Sequence, residues 1–257
     1  MVNPYVQTGF RGRFDWGLVG AKNLAQEVVI IAVVDVLSFT TSLTVAVDNR
    51  IEVYPFRWRD DRAATFAKER DAALAVGRSE AGPGEITLSA PSIRAATGVR
   101  RLVLPSPNGS TISQAVAELG VTVIGVSLRN VNAAADWTLR KLADQPEACV
   151  GVVAGGERWH DGSARPAVED LWGAGAYLAA LAERGLGPLS PEARAAAAAY
   201  TVVAGDISAE LRACAGGREL IGHGYPGDVE VAAEVNLSEV VPLLTDESFT
   251  NARQLQK

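Results

Sequence analysis

Short β-branched runs recur along this 257-residue chain at Val28–Val36, Ile51–Tyr54, Ala73–Val76, Leu102–Leu104, Val121–Val126 and Cys149–Val153, and a segment of helical character follows each one. A sheet built from such runs must bury its faces against helices. The alternation therefore predicts an α/β protein, three-layered α/β/α, with a largely parallel or mixed central sheet. The expected helices are Thr41–Asp48, Asp61–Asp71, Thr111–Leu119, Val131–Leu142, Pro166–Glu183 and Pro191–Val203, the two prolines suiting a first helical turn. Residues 205–257 are less regular: glycines interrupt the pattern, and only Asp228–Ala233 reads as a strand ahead of an extended tail. No repeat or low-complexity linker divides the chain, so residues 1–257 read as one domain, with 1–26 as an N-terminal arm.

The formal net charge of -6, with no basic stripe, argues against nucleic acid or an anionic membrane as partner and leaves a small molecule. No apolar run reaches the length of a membrane span, and Arg11 and Arg13 precede no signal-like segment, so a cytoplasmic protein is expected. The sequence sets no oligomeric state; small enzymes are often dimers, and a homodimer is admitted. Two cysteines without CxxC spacing and two distant histidines, His160 and His223, leave no zinc or multi-histidine site. Any metal would have oxygen ligands, which favours Mg²⁺.

Within this frame the chemistry gathers after strands. Asp35 ends the first apolar run and precedes the hydroxyls Thr40 and Thr41. A buried carboxylate is costly without donors or a cation, and strand ends in open α/β sheets are where ligands bind. Leu104-Pro-Ser-Pro-Asn-Gly-Ser-Thr111 follows a strand and opens a helix, with Thr111 and Gln114 in capping-box spacing. Its free N–H groups, with Ser106, Asn108, Gly109 and Ser110, make an anion site, the plain alternative being an ordinary Asn-Gly turn. The long loop 154–170 brings Glu157, Arg158, Arg165, Glu169 and Asp170, acids and planar forks suited to phosphate or sulfonate oxygens. The plain alternatives are dipole-offsetting acids in a first helical turn and surface ion pairs. Glu80, in the glycine-rich Gly77–Gly84 turn, and Arg129 with Asn130 are further groups at strand ends. A P-loop is absent, and Leu37 stands where a haloacid-dehalogenase phosphatase would carry its second acid.

Asp35-Val-Leu-Ser-Phe-Thr-Thr, Leu104-Pro-Ser-Pro-Asn-Gly-Ser and Gly156-Glu-Arg-Trp-His-Asp-Gly-Ser-Ala-Arg-Pro-Ala-Val-Glu-Asp-Leu171 resemble the 2-phosphosulfolactate phosphatase family, in a bacterial branch. The likeness extends to Phe14-Asp-Trp-Gly and to Cys214-Ala-Gly-Gly-Arg-Glu-Leu220, Asp228 and Val241-Pro242. Gly216, where a serine is expected, and Arg78-Ser79, which separate Gly77 from Glu80, depart from it.

The resemblance implies Mg²⁺-dependent hydrolysis of a phosphorylated small acid, in the family's named case (2R)-2-phospho-3-sulfolactate, a step of coenzyme M biosynthesis. On that reading Asp35, Glu80 and Glu169 or Asp170 hold Mg²⁺. The catalytic set is Asp35, Asn108, Glu169 and Asp170, and Asp35 serves either as metal ligand or as nucleophile. Phosphate and acid oxygens meet Thr40, Thr41, Ser106, Gly109, Ser110, Arg129, Asn130, Glu157, Arg158 and Arg165. The alternative is a non-catalytic protein that binds an organic acid or phosphate in the same pocket.

Overall fold

A computed structural model describes residues 3–57, 61–82 and 84–252. Its strands are β1 Gly12–Trp16, β2 Ile30–Val34, β3 Glu52–Phe56, β4 Ala73–Leu74, β5 Arg101–Pro105, β6 Thr122–Val126, β7 Val150–Ala154, β8 Glu157–Arg158, β9 Ala164–Arg165, β10 Pro242–Thr245 and β11 Ser248–Asn251. Its helices are α1 Gly17–Leu24, α2 Phe39–Asp48, α3 Asp61–Glu69, α4 Ala90–Ala95, α5 Gly109–Ala117, α6 Val131–Lys141, α7 Val168–Glu183, α8 Pro191–Val203, α9 Ile207–Ala213, α10 Ala215–Gly222 and α11 Pro226–Ala232. Strands β8 and β9 form a separate hairpin; the other nine make one sheet in the order β1-β7-β2-β6-β10-β11-β3-β5-β4. The architecture is α/β with three layers, as the alternation of the sequence requires. Among the described residues no helix is long and apolar enough to cross a membrane.

Strand β2 shows why both faces are covered. Ile30, Ala32 and Val34 enter one core with Val152 and Tyr177, while Ile31 and Val33 enter the other with Leu43, Ile112 and Phe249. A strand buried on both sides carries no polar alternation, so its sequence is a continuous apolar run.

The sheet is mixed rather than largely parallel. β1, β7, β2 and β6 are parallel to one another, as are β3, β5 and β4. Between the two blocks lies the β10–β11 hairpin, antiparallel to β6 on one side and to β3 on the other. Three antiparallel steps reverse the second block along the ladder. Five strand-to-strand steps separate β2 from β5, and twist of roughly 20–25° per step turns β5 by roughly 100–125°. The ends of β2 and β5 thus meet around α2, whose residues Phe39 to Val47 are all buried.

The N-terminal arm contains an edge strand, with β1 paired along its length to β7. Three expectations fail here. Asp228–Ala233 is not a strand: Pro226 starts α11, whose buried residues include Asp228, Val229, Val231 and Ala232, so i,i+3 packing outweighs the period-two look of Val229 and Val231. The extended tail is instead the sheet's central hairpin, turned at Asp246 with φ of 55°. Helix α5 begins at Gly109, not Thr111, and Gln114 donates its side-chain amide to the Pro55 carbonyl at 2.8 Å, so the expected capping box does not form.

Candidate active site

The β2–α2 turn is closed by its own hydroxyls. Asp35 N–H donates to Thr40 Oγ1 at 3.0 Å, Thr40 Oγ1 donates to the Asp35 carbonyl at 2.8 Å, and Thr41 Oγ1 donates to the Val36 carbonyl at 2.8 Å. Thr40 and Thr41 are fully buried, and their hydroxyls are spent on shaping the turn. The turn leaves the Asp35 side chain, 7% exposed, at the start of two helices. Oδ1 accepts from Phe39 N–H at 3.2 Å, and Oδ2 accepts from Gly109 N–H at 3.0 Å with Ser106 Oγ 3.5 Å away. The anion expected at the N-terminus of α5 is therefore the protein's own carboxylate. Only glycine permits this approach: a Cβ at 109 would stand 2.2 Å from Phe39 Cδ1 and 2.9 Å from Asp35 Oδ2.

Asp170 performs a second tie. From the first turn of α7, its Oδ1 accepts from Val36 N–H at 2.7 Å and its Oδ2 from Gly156 N–H at 2.8 Å. Both oxygens are engaged, so Asp170 clamps the β2–α2 turn to the segment after β7. Its neighbour Glu169, 3% exposed, lies against α10, where a Cβ at Gly216 would stand 2.3 Å from Glu169 Oε1.

These acids are crowded, and their proton affinities show it. Burial raises the pKa of Asp35 against the Phe39 and Gly109 hydrogen bonds, and the Glu169 charge adds to the rise. Burial, and then the charges of Asp35 and Glu169, raise the Asp170 pKa well above its ordinary value, against the pull of its Val36 and Gly156 hydrogen bonds. Burial, with the Asp35 charge, lifts Glu157 to about 7, while Arg165 pulls the other way. Cys214 is pushed up to about 12 by burial and the Glu169 charge, which leaves it a thiol.

A cavity of about 260 Å³ opens on the cluster, lined by Asp35, Ser38, Ser42, Arg78, Ser106, Asn108, Glu157 and Glu219 among polar residues. Arg78 is the cation in that wall. Its Nη2 donates to Ser38 Oγ at 2.7 Å, and its Nε to Asp228 Oδ2 at 3.1 Å. Asp35, Asn108, Ser106 and Glu157, each from a segment after a strand, thus line one cavity.

Other expected groups do not join them. Glu80 is exposed, its carboxyl packs on Gly77, and it lines a neighbouring cavity with His223 and Tyr225. Ser110 Oγ donates to the Leu104 carbonyl at 2.9 Å within its own turn. Arg158 is exposed and donates to the Gly162 carbonyl in the β8–β9 hairpin. Arg165 lies nearer, its guanidinium 5.5 Å from the Trp159 ring centre. Arg129 pairs with Asp48 and Glu234, and the Asn130 side-chain amide donates to the Gly125 and Val240 carbonyls, joining the end of β6 to the approach to β10 in the middle of the sheet. Sequence reasoning missed Ser38, Ser42, Arg78 and Glu219 as cavity residues. The i,i+4 spacing of Ser38 and Ser42 straight after Asp35 was the available signal.

Among the described residues no group of three or more His, Cys, Asp or Glu side chains forms a ready-made metal cage. Of the expected set Asp35, Glu80, Glu169 and Asp170, Glu80 lines the neighbouring cavity and stands apart from the other three. The remaining donors still suit a hard cation. The Glu169 charge helps to raise the Asp35 pKa, which places the two carboxylates near one another, and Mg²⁺ characteristically uses only one or two carboxylates.

The sequence profile of the 2-phosphosulpholactate phosphatase family matches residues 18–247. The chain belongs to this family. It is accordingly a phosphoric-monoester hydrolase, and every polar residue of the cavity wall falls inside the matched span. No curated protein matches the chain.

Proposed function

We propose that this phosphatase acts on phosphate esters of small hydroxy acids, (2R)-2-phospho-3-sulfolactate foremost, with Mg²⁺ held at Asp35 and Glu169. The observation that supports the reading is one cavity in which Asp35 and Glu157 face Asn108 and Arg78. Its volume of about 260 Å³ lies below the span usual for drug-sized ligands and suits a three-carbon ester. Bound Mg²⁺ would draw charge from the phosphoryl oxygens.

The remaining chemistry falls to side chains of the wall. The Asn108 amide and Ser106 hydroxyl are placed to donate to phosphoryl oxygens, where charge concentrates as the ester breaks. Glu157, with a pKa of about 7, carries a proton on about half of molecules at neutral pH. In this reading it gives that proton to the ester oxygen as the bond to phosphorus breaks, since a secondary alkoxide is a poor leaving group. Water forms the new bond to phosphorus and its proton passes to the phosphate product. Asp35 keeps its Phe39 and Gly109 hydrogen bonds throughout, which favours a holding role over nucleophilic attack.

Phosphate release from a panel of monoesters, with Mg²⁺ and then with EDTA, tests the proposal. Release from acid-bearing esters that EDTA stops is expected. No release from any ester would overturn it.

A further inference from the structure

We propose that Ser42 and the guanidinium of Arg78 form a subsite for the substrate's second acid group, the carboxylate or sulfonate that is not the phosphate, with Asp228 as its positioning residue. The proposal rests on the phosphatase reading of the cavity and adds to it what selects the substrate.

Hydroxyls in α2 have a regular way of being satisfied. Thr44 Oγ1 donates to the Thr40 carbonyl at 2.6 Å, one turn back, and Ser113 of α5 does the same to Gly109 at 2.7 Å. Ser42 is 1% exposed and makes no such bond; its Oγ is a buried oxygen without a partner. It lines the cavity that holds Asp35 and Arg78. A buried hydroxyl left unpaired in a helix that satisfies its other hydroxyls needs an explanation, and a ligand oxygen supplies one.

Arg78 faces the same space with its orientation set from behind. Asp228, whose side chain is 1% exposed, accepts from Arg78 Nε through Oδ2, and its Oδ1 accepts from Ala90 N–H at 3.0 Å. Ser38 takes Nη2, and the Tyr225 ring centre lies 5.6 Å from the guanidinium carbon. Among the described residues Nη1 makes no hydrogen bond. A guanidinium fixed on one edge, with a free donor on the other, is preorganised for an oxyanion. Asn108 and Ser106 are assigned to the phosphate in this reading, so Arg78 and Ser42 are the cavity donors left for the second acid group.

The test compares kcat/KM for two acid-bearing esters, 2-phospho-3-sulfolactate and 2-phosphoglycerate, with that for neutral glycerol 2-phosphate, all with Mg²⁺. Losing hydrogen bonds to a charged group corresponds to about 10- to 100-fold. Arg78→Gln and Ser42→Ala should therefore lower kcat/KM for the acid-bearing esters at least about tenfold more than for the neutral one. Arg78→Lys should recover part of that difference. The two acid-bearing esters tell sulfonate from carboxylate recognition. Asp228→Asn should raise KM for the acid-bearing esters with a smaller effect on kcat, whereas a merely structural Asp228 would move all the esters alike. Calorimetric binding of unphosphorylated sulfolactate gives a readout apart from turnover, and it should weaken in Arg78→Gln. Equal losses on acid-bearing and neutral esters, with unchanged sulfolactate binding, would overturn the subsite and leave the phosphatase reading standing. Absence of turnover by the unmodified enzyme would defeat that reading instead.

Discussion

Removing the Asp170 carboxylate should destabilise the fold, because that side chain joins the β2–α2 turn to the segment after β7. Asp170→Ala deletes two charge-assisted hydrogen bonds, to Val36 N–H at 2.7 Å and Gly156 N–H at 2.8 Å. Each such bond contributes about 1.5–3 kcal/mol, and the abandoned N–H groups are left buried. Part of that loss is offset. The burial and like charges that raise the Asp170 pKa disappear with the side chain. A net loss of about 2–4 kcal/mol follows, against a total stability of about 5–15 kcal/mol for a folded protein. Urea unfolding followed by far-UV circular dichroism would register it as a midpoint lowered by about 1 M. Asp170→Asn should be nearly as damaging, since its amide keeps one acceptor and turns a donor toward the second N–H. If both variants unfold within about 0.5 kcal/mol of the unmodified protein, Asp170 is not a clamp.

Three further outcomes follow from the same geometry. Glu157 titrates from an ordinary 4.5 to about 7 on folding, so the folded state holds more protons across that window and stability falls as pH rises through it. Glu157→Gln, measured by urea unfolding in EDTA, should remove up to about 3 kcal/mol of that slope; in activity it should abolish a decline of kcat/KM above pH of about 7. Gly216→Ala should keep the fold but push the Glu169 carboxylate aside, since its Cβ meets Oε1 at 2.3 Å, and Mg²⁺ dependence should weaken in a metal titration of activity. Gly217→Ala should instead cost about 1–3 kcal/mol or more, because its Cβ would stand 1.7 Å from the Leu211 carbonyl oxygen, which is backbone and cannot swing away.

How much of this was legible in the sequence depends on whether a signal is local. β2 and Asp35 were readable, because a strand buried on both faces must be apolar and a charge at its end stands out. The loops carrying Asn108 and Glu157 were readable for the same reason. The β10–β11 hairpin was not: Pro242–Thr245 and Ser248–Asn251 are four residues each, and only long-range pairing with β6 and β3 makes them the middle of the sheet. Arg129 follows β6, the parallel neighbour of β2, yet stands apart from Asp35 because its guanidinium is taken by Asp48 and Glu234, partners that no local signal gives away. Arg78 reads in sequence as an interruption between Gly77 and Glu80. Its place in the cavity comes from Asp228, 150 residues away along the chain.

The most direct test of the account is phosphate release by Asp35→Asn beside the unmodified enzyme, on 2-phospho-3-sulfolactate with Mg²⁺, with circular dichroism verifying that both are folded. An amide at 35 can still accept from one backbone N–H, so the fold should persist, while the charge at the centre of the acid cluster is gone. Loss of Mg²⁺-dependent release in a folded protein is the predicted result. Near-normal turnover by the variant would contradict it and place the chemistry outside this cavity.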